Sequence, residues 1–153
     1  MNITIRKAKR SDGEAFLGLI KELADFEKLD PPDEKAQKRL LKHAFATDPL
    51  FYVMMAFDKD AKNKPVGYAI YFFTFSSFLA KPTLYLEDIY ISKDYQSQGI
   101  GKLFFERLDK VAHKRDCGRM EWAVLDWNEK AIRFYDKLGA KPLKEWIYYR
   151  KIL

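Results

Sequence analysis

Apolar positions change their spacing several times along the chain, and each change marks an element. Ile3 and Ile5 alternate with polar neighbours over residues 2–6, the period of a short half-buried strand. Phe16, Leu19, Ile20, Leu23 and Phe26 then recur at helical intervals, one face of an amphipathic helix. Ser11-Asp-Gly-Glu14, just before them, has capping-box spacing. Pro31-Pro32 is expected to stop that helix, because proline lacks the amide hydrogen the next turn needs. A second helix is predicted over 33–46, with Ala36, Leu40, Leu41, Ala44 and Phe45 on one side.

Beyond residue 50 the period shortens. Residues 51–57, 66–75 and 83–92 are rich in aromatic and branched side chains, as strands are. The polar stretch 58–64 joins the first two as a hairpin connection. Helical spacing returns over 101–115 through Phe104, Leu108 and Val111. Residues 119–126 read as a strand, 128–138 as a helix ended by Gly139, and the Tyr- and Trp-rich stretch 143–152 as a closing strand. The order β-α-α-β-β-β-α-β-α-β predicts an α/β protein with a mixed sheet. Hairpins give its antiparallel pairs, and 83–92 should run parallel to 119–126 across the helix between them.

Composition narrows the class. With 153 residues, 48% apolar and 33% charged, the chain is globular. A chain of this length buries roughly 68–70% of its unfolded surface, enough for one core, so a single domain over 1–153 is expected. The longest apolar run, 66–75, is far short of the ~20 residues of a membrane span. The first residues turn charged too early for a secretory signal, so a cytoplasmic protein without a membrane partner is expected. Cys117 is the only cysteine, and His43 and His113 form no H-x-x-x-H pair, so no metal site is expected. Five of the six excess positive charges fall in residues 101–153, which carry thirteen basic and eight acidic residues. That bias fits nucleic acid or a membrane surface, a phosphorylated ligand, or simply solvated helix faces.

The stretch Gln96-Ser-Gln-Gly99-Ile-Gly101 separates the third of these strands from a helix. Its glycines let backbone approach a ligand closely, and the first amides of the helix point outward without partners. Such a terminus suits a pyrophosphate. It is neither the dinucleotide fingerprint, which needs a third glycine, nor a Walker loop. At this junction Q/R-x-x-G-x-G/A resembles the acetyl-CoA pyrophosphate motif of the GNAT superfamily of N-acetyltransferases. The element order is similar too. Leu19-Ile-Lys-Glu-Leu-Ala-Asp-Phe-Glu27, Tyr71-Phe-Phe-Thr-Phe75, Leu84-Tyr-Leu-Glu-Asp88, Trp127-Asn-Glu129 and Phe134-Tyr135 resemble the diamine (spermidine/spermine-type) acetyltransferases, and they span nearly the whole chain.

The resemblance implies a GNAT fold, acetyl-CoA as co-substrate, a small-molecule amine acceptor, no nucleic acid partner, and a homodimer. It implies that Ile89, Tyr90 and Ile91 bond pantetheine through their backbone. Ser97, Gln98, Gly99, Ile100, Gly101 and Lys102 would wrap the pyrophosphate, with Asn128, Glu129, Lys130 and Ala131 reaching the cofactor as well. Glu87 would contact the amine as general base, and Tyr135 would meet the thioester sulfur. Phe26, Glu27, Asp88, Glu121, Trp122, Ala123 and Trp127 would bind the acceptor. Glu121 departs in type from the family's residue there, and Leu138 stands where a basic residue is expected, with Lys137 beside it.

Plainer readings stand beside these. Asn128 is placed to cap a helix, Trp122 and Tyr135 to pack in a core, and a buried acid to serve an internal partner. Glu87 and Asp88 are consecutive in a strand, where side chains alternate between faces, so both facing solvent is not expected of a central strand. A protein lysine or N-terminus as acceptor, a non-catalytic acyl-CoA module and a basic nucleic-acid module remain alternatives. The exposed strand edge expected over 143–152 would be covered by a second copy.

Overall fold

Strands β1 (Ile3–Lys7), β2 (Tyr52–Asp58), β3 (Lys64–Ser76), β4 (Lys81–Ile91) and β5 (Arg119–Trp122) pair in chain order into one sheet. The first three pairings are antiparallel, and β4 runs parallel to β5. The mixed sheet expected from the element order is therefore formed. The computed structural model describes residues 1–153 and divides into two units, 1–122 and 123–153.

In the first unit, α1 (Gly13–Glu27) and α2 (Glu34–Ala44) cover one face of the sheet, and α3 (Ile100–Lys114) the other. Period-two alternation sorts the side chains. Val53, Met55, Tyr68 and Ile70 meet Phe16 and Leu19 of α1 in one buried cluster. Gly67, on the opposite face, comes up against Phe104 of α3. A β-carbon there would stand 2.7 Å from the carbonyl oxygen of Tyr90, so glycine lets β3 and β4 close. In the second unit, α4 (Glu129–Lys137) follows Asn128, whose side-chain oxygen accepts from the Ala131 amide at 3.2 Å, the cap its position predicts.

Four local expectations need correction. The helix α1 begins without a Ser11 capping box. The Asp12 carboxylate instead accepts the Lys9 amide at 2.7 Å and pairs with Arg6, which tightens residues 10–12 into a 3₁₀ turn. The helix also ends before its prolines, at Lys28, which turns left-handed (φ 57°). The fifth strand stops at Trp122 rather than at 126, its ladder to β4 being four residues long. No strand forms over 143–152. Extended propensity makes a strand only where a neighbour supplies a ladder, and the backbone bond here is a local turn, Trp146 N–H to Leu143 O at 3.3 Å. No helix is long and apolar enough to cross a membrane.

Candidate active site

Strand β4 outruns its parallel neighbour. Its ladder to β5 covers Thr83 to Leu86, whereas its ladder to β3 continues to Ile91. Ile89, Tyr90 and Ile91 are therefore paired on one side only, which leaves a row of backbone groups on the other. Part of that edge is already engaged. Gln96 Nε2 donates to the Ile91 carbonyl at 2.9 Å, tying the following turn back onto the strand. The Tyr90 phenol is pushed up to about 12 by burial and by its Glu22 partner on α1, so this side chain faces the helices.

The turn then enters α3 through two left-handed residues, Ser97 (φ 61°) and Gly99 (φ 84°). Nothing stands within 4 Å of where a Gly99 β-carbon would be, so its glycine answers to backbone conformation and open space rather than crowding. Ile100 is buried and anchors the helix start. Lys102 is exposed in the first turn, and no acid stands there. Gln98 Nε2 donates to Asp94 O at 2.8 Å, so the loop is braced by its own side chains. Outward amides, a nearby ammonium and free volume fit an anionic group such as a pyrophosphate.

A cavity of about 560 Å³ opens on the α1–α2 side of the sheet. Ile20, Leu40, Phe51, Ile70 and Phe72 give it apolar walls, and Glu87 and Asp88 are both in its lining. Strict alternation would have sent these acids to opposite faces. The register explains why it does not: Ile70 pairs with Asp88 and Tyr71 with Leu86, so Glu87 is the extra residue of a β-bulge. The bulge turns two consecutive carboxylates into one cavity, with Glu87 exposed and Asp88 half-buried.

Asp88 is the perturbed member. Burial pushes its carboxyl up to about 6, and the charges of Glu87 and Glu27 add to that, while the Tyr68 hydroxyl, donating to Oδ2 at 3.1 Å, pulls it back. Glu27 on α1 is itself raised by burial. Two further carboxylates, Glu87 and Glu27, thus bear on Asp88. No group of three His, Cys, Asp or Glu side chains is arranged to hold a metal.

Other expected residues fall elsewhere. Phe26 is 44% exposed and is not in the cavity lining. Trp122 packs edge-on against Phe105, ring centres 5.0 Å apart, and Glu121 pairs with Arg119 at 2.8 Å; neither lines the cavity. Ala123, Trp127, Glu129 and Lys130 are exposed in the second unit, where Ala131 serves the Asn128 cap. Tyr135 is half-buried on α4, its ring tilted against Phe134 at 5.6 Å, and burial pushes its phenol up to about 12. Tyr68 and the apolar lining are absent from the set expected from sequence. The one available signal was a phenol within the apolar run Val66–Gly–Tyr–Ala–Ile70, where a hydroxyl needs a partner.

The half-paired end of β4 and the glycine turn into α3 are the elements to which the resemblance assigns acetyl-CoA. The acetyltransferase (GNAT) family model matches residues 17–140, and the chain belongs to that family. It is an acetyl-transferring enzyme. The chain is 36% identical over 149 residues to the thialysine N-epsilon-acetyltransferase of Sus scrofa, covering 94% of this chain and 87% of that one. It is 38% identical over 154 residues to spermidine/spermine N(1)-acetyltransferase-like protein 1 of Homo sapiens, covering 95% of this chain and 22% of that one. An integron cassette protein from the V. cholerae mobile metagenome superposes with a TM-score of 0.83 at 25% identity, over 99% of this chain and 93% of that one.

Proposed function

We propose that this enzyme acetylates a primary amine of a small aliphatic acceptor, a diamine, polyamine or thialysine-like amine, using acetyl-CoA and direct attack. The carrying observation is the cavity itself, apolar in its walls and acidic at Glu87 and Asp88. Methylene chains suit the walls and ammonium groups suit the carboxylates. Relatives named for thialysine and for spermidine/spermine support the same acceptor class.

The 96–102 turn supports acetyl-CoA as co-substrate through its left-handed Ser97 and Gly99 and its acid-free helix start. We assign the pyrophosphate to Ser97, Gln98, Gly99, Ile100, Gly101 and Lys102, and pantetheine to the half-paired backbone of Ile89, Tyr90 and Ile91. Asn128, Glu129, Lys130 and Ala131 are assigned to the same ligand. Bound acetyl-CoA supplies an activated thioester. The protein's task is to present a neutral amine to it. An alkylamine near pKa 10.4 sits about 3.4 units from neutrality at pH 7, a cost of roughly 4.6 kcal/mol. Glu87, exposed at the cavity, takes that proton, directly or through water. Tyr135 donates a hydrogen bond to the departing sulfur.

The test is thiol release from acetyl-CoA with a panel of alkyl monoamines, diamines, thialysine and a lysine peptide. Small diamines or thialysine should give the highest kcat/KM. A preference for the peptide would overturn the acceptor class, and acetyl-CoA binding without thiol release would favour an acyl-CoA-binding module. Glu87→Gln should raise KM for cationic amines and lower kcat by roughly tenfold to a hundredfold, since charge and base go together. Wild-type kinetics for that variant across neutral pH would return Glu87 to a structural role. A homodimer belongs to the same reading. It rests on the resemblance and on the exposed run Trp146, Ile147, Tyr148 and Tyr149, and a monomer mass by light scattering at micromolar concentration would remove it.

A further inference from the structure

Tyr68 is fully buried on β3, and its ring stands edge-on to Phe16 with centres 5.5 Å apart, so the side chain has one orientation. In the register Tyr68 faces Tyr90 and Ile70 faces Asp88, which makes Tyr68 and Asp88 diagonal neighbours across the strand pair, within reach of a long aromatic side chain. Phenylalanine would fill the same space. The hydroxyl is therefore extra to packing, and its partner is a carboxylate that lines the cavity rather than a backbone carbonyl.

We propose that Tyr68 is a positioning residue, whose hydroxyl fixes the Asp88 carboxylate so that it holds the second, non-reacting ammonium of a diamine acceptor. The proposal rests on the amine-acetyltransferase reading above. A carboxylate stabilises an ammonium in its charged form, which hinders a reacting nitrogen but suits one that only anchors. Glu87 and Asp88 line the cavity and Glu27 bears on Asp88 from α1, more negative charge than a single nitrogen awaiting deprotonation can use. These are the titratable groups that bear on Asp88: Tyr68 from β3, Glu87 from β4 and Glu27 from α1. The wall from α2 is the apolar Leu40.

The phenol's own titration is pushed well above its ordinary value, chiefly by burial, so it remains a donor at every working pH. Donation favours the charged carboxylate against the burial and like charges that raise it. Losing the hydroxyl must therefore move Asp88 further up, and the ionised anchor is then lost at a higher pH.

The experiment compares 1,3-diaminopropane with propylamine, using wild type, Tyr68→Phe, Asp88→Asn and the double variant over roughly pH 5 to 8. Tyr68→Phe should raise KM for the diamine about tenfold near neutrality and shift the acidic limb of kcat/KM upward by about one unit, with kcat and the propylamine KM within about twofold. Asp88→Asn should abolish the preference for the diamine, and adding Tyr68→Phe to it should change nothing more. Equal losses with both amines, an unmoved acidic limb or additive effects in the double variant would overturn the role of Tyr68 while leaving the amine reading intact. A wild-type enzyme that releases no thiol with either amine would overturn that reading, and this proposal with it.

Discussion

Tyr135→Phe lowers kcat by about a hundredfold at saturating amine and acetyl-CoA, while acetyl-CoA affinity and thermal stability stay close to wild type. Phenylalanine keeps the ring and its packing against Phe134, so the hydroxyl alone is removed. Burial has already pushed that phenol up to about 12. Full proton transfer to a thiolate whose acid lies near 8.5 would be uphill by roughly 5 kcal/mol. In the proposed role the hydroxyl would instead act as a hydrogen-bond donor that strengthens as charge gathers on sulfur, a contribution realised in the transition state and not in binding. The pH profile should keep its shape in the variant while its height drops. A Tyr135→Phe enzyme within twofold of wild-type kcat would return the residue to helix packing.

Gly99→Asp raises the dissociation constant for acetyl-CoA by about a hundredfold, equivalent to ~2.7 kcal/mol, and Gly99→Asn raises it far less. The pair separates charge from strain. Gly99 has φ 84°, and Asn and Asp are the side chains that tolerate this region best. There is open space around the β-carbon position, which nothing approaches within 4 Å. Both side chains meet the same cost of a left-handed backbone, so the melting temperature should fall by a similar small amount in the two variants. What distinguishes the two variants is a carboxylate where phosphate oxygens are assigned. Calorimetry giving equal affinities for both would move the pyrophosphate elsewhere.

The periodic parts of the fold were legible. Apolar residues at helical spacing found all four helices to within a few residues, and hairpin and crossover logic set the strand directions, because each rests on local pattern and short connections. The strand expected over 143–152 was not legible in the same way. Tyr, Trp and Ile prefer extended backbone, but no neighbouring ladder takes them up, and pairing is a property of two segments. The glycine turn could be read because Gly99 needs φ above zero. Gln96 was only the first letter of a motif until its side chain was seen on the Ile91 carbonyl. Glu87 and Asp88 were visible as acids in an apolar strand. Their shared cavity was not, since the bulge that joins them carries no glycine or proline to announce it.

The acids of the cavity and the walls that face them from outside the sheet come from different parts of the chain, Ile70 and Phe72 being the walls that β3 supplies. Glu87 and Asp88 belong to β4, in the middle of the sheet, while Ile20, Leu40 and Phe51 come from two helices and the segment before β2. If the cavity holds the acceptor as proposed, a lineage can exchange one acceptor for another through substitutions on the helices and that segment, without disturbing strand register, the bulge or the turn into α3. Removing one residue from β4 has the opposite character. If Glu87 itself were removed, the bulge and one of the two carboxylates would go in a single step, leaving Asp88 paired with Ile70. On the proposed acceptor site, substrate range is open to gradual drift from the helices, whereas the paired carboxylates depend on a single irregularity of β4.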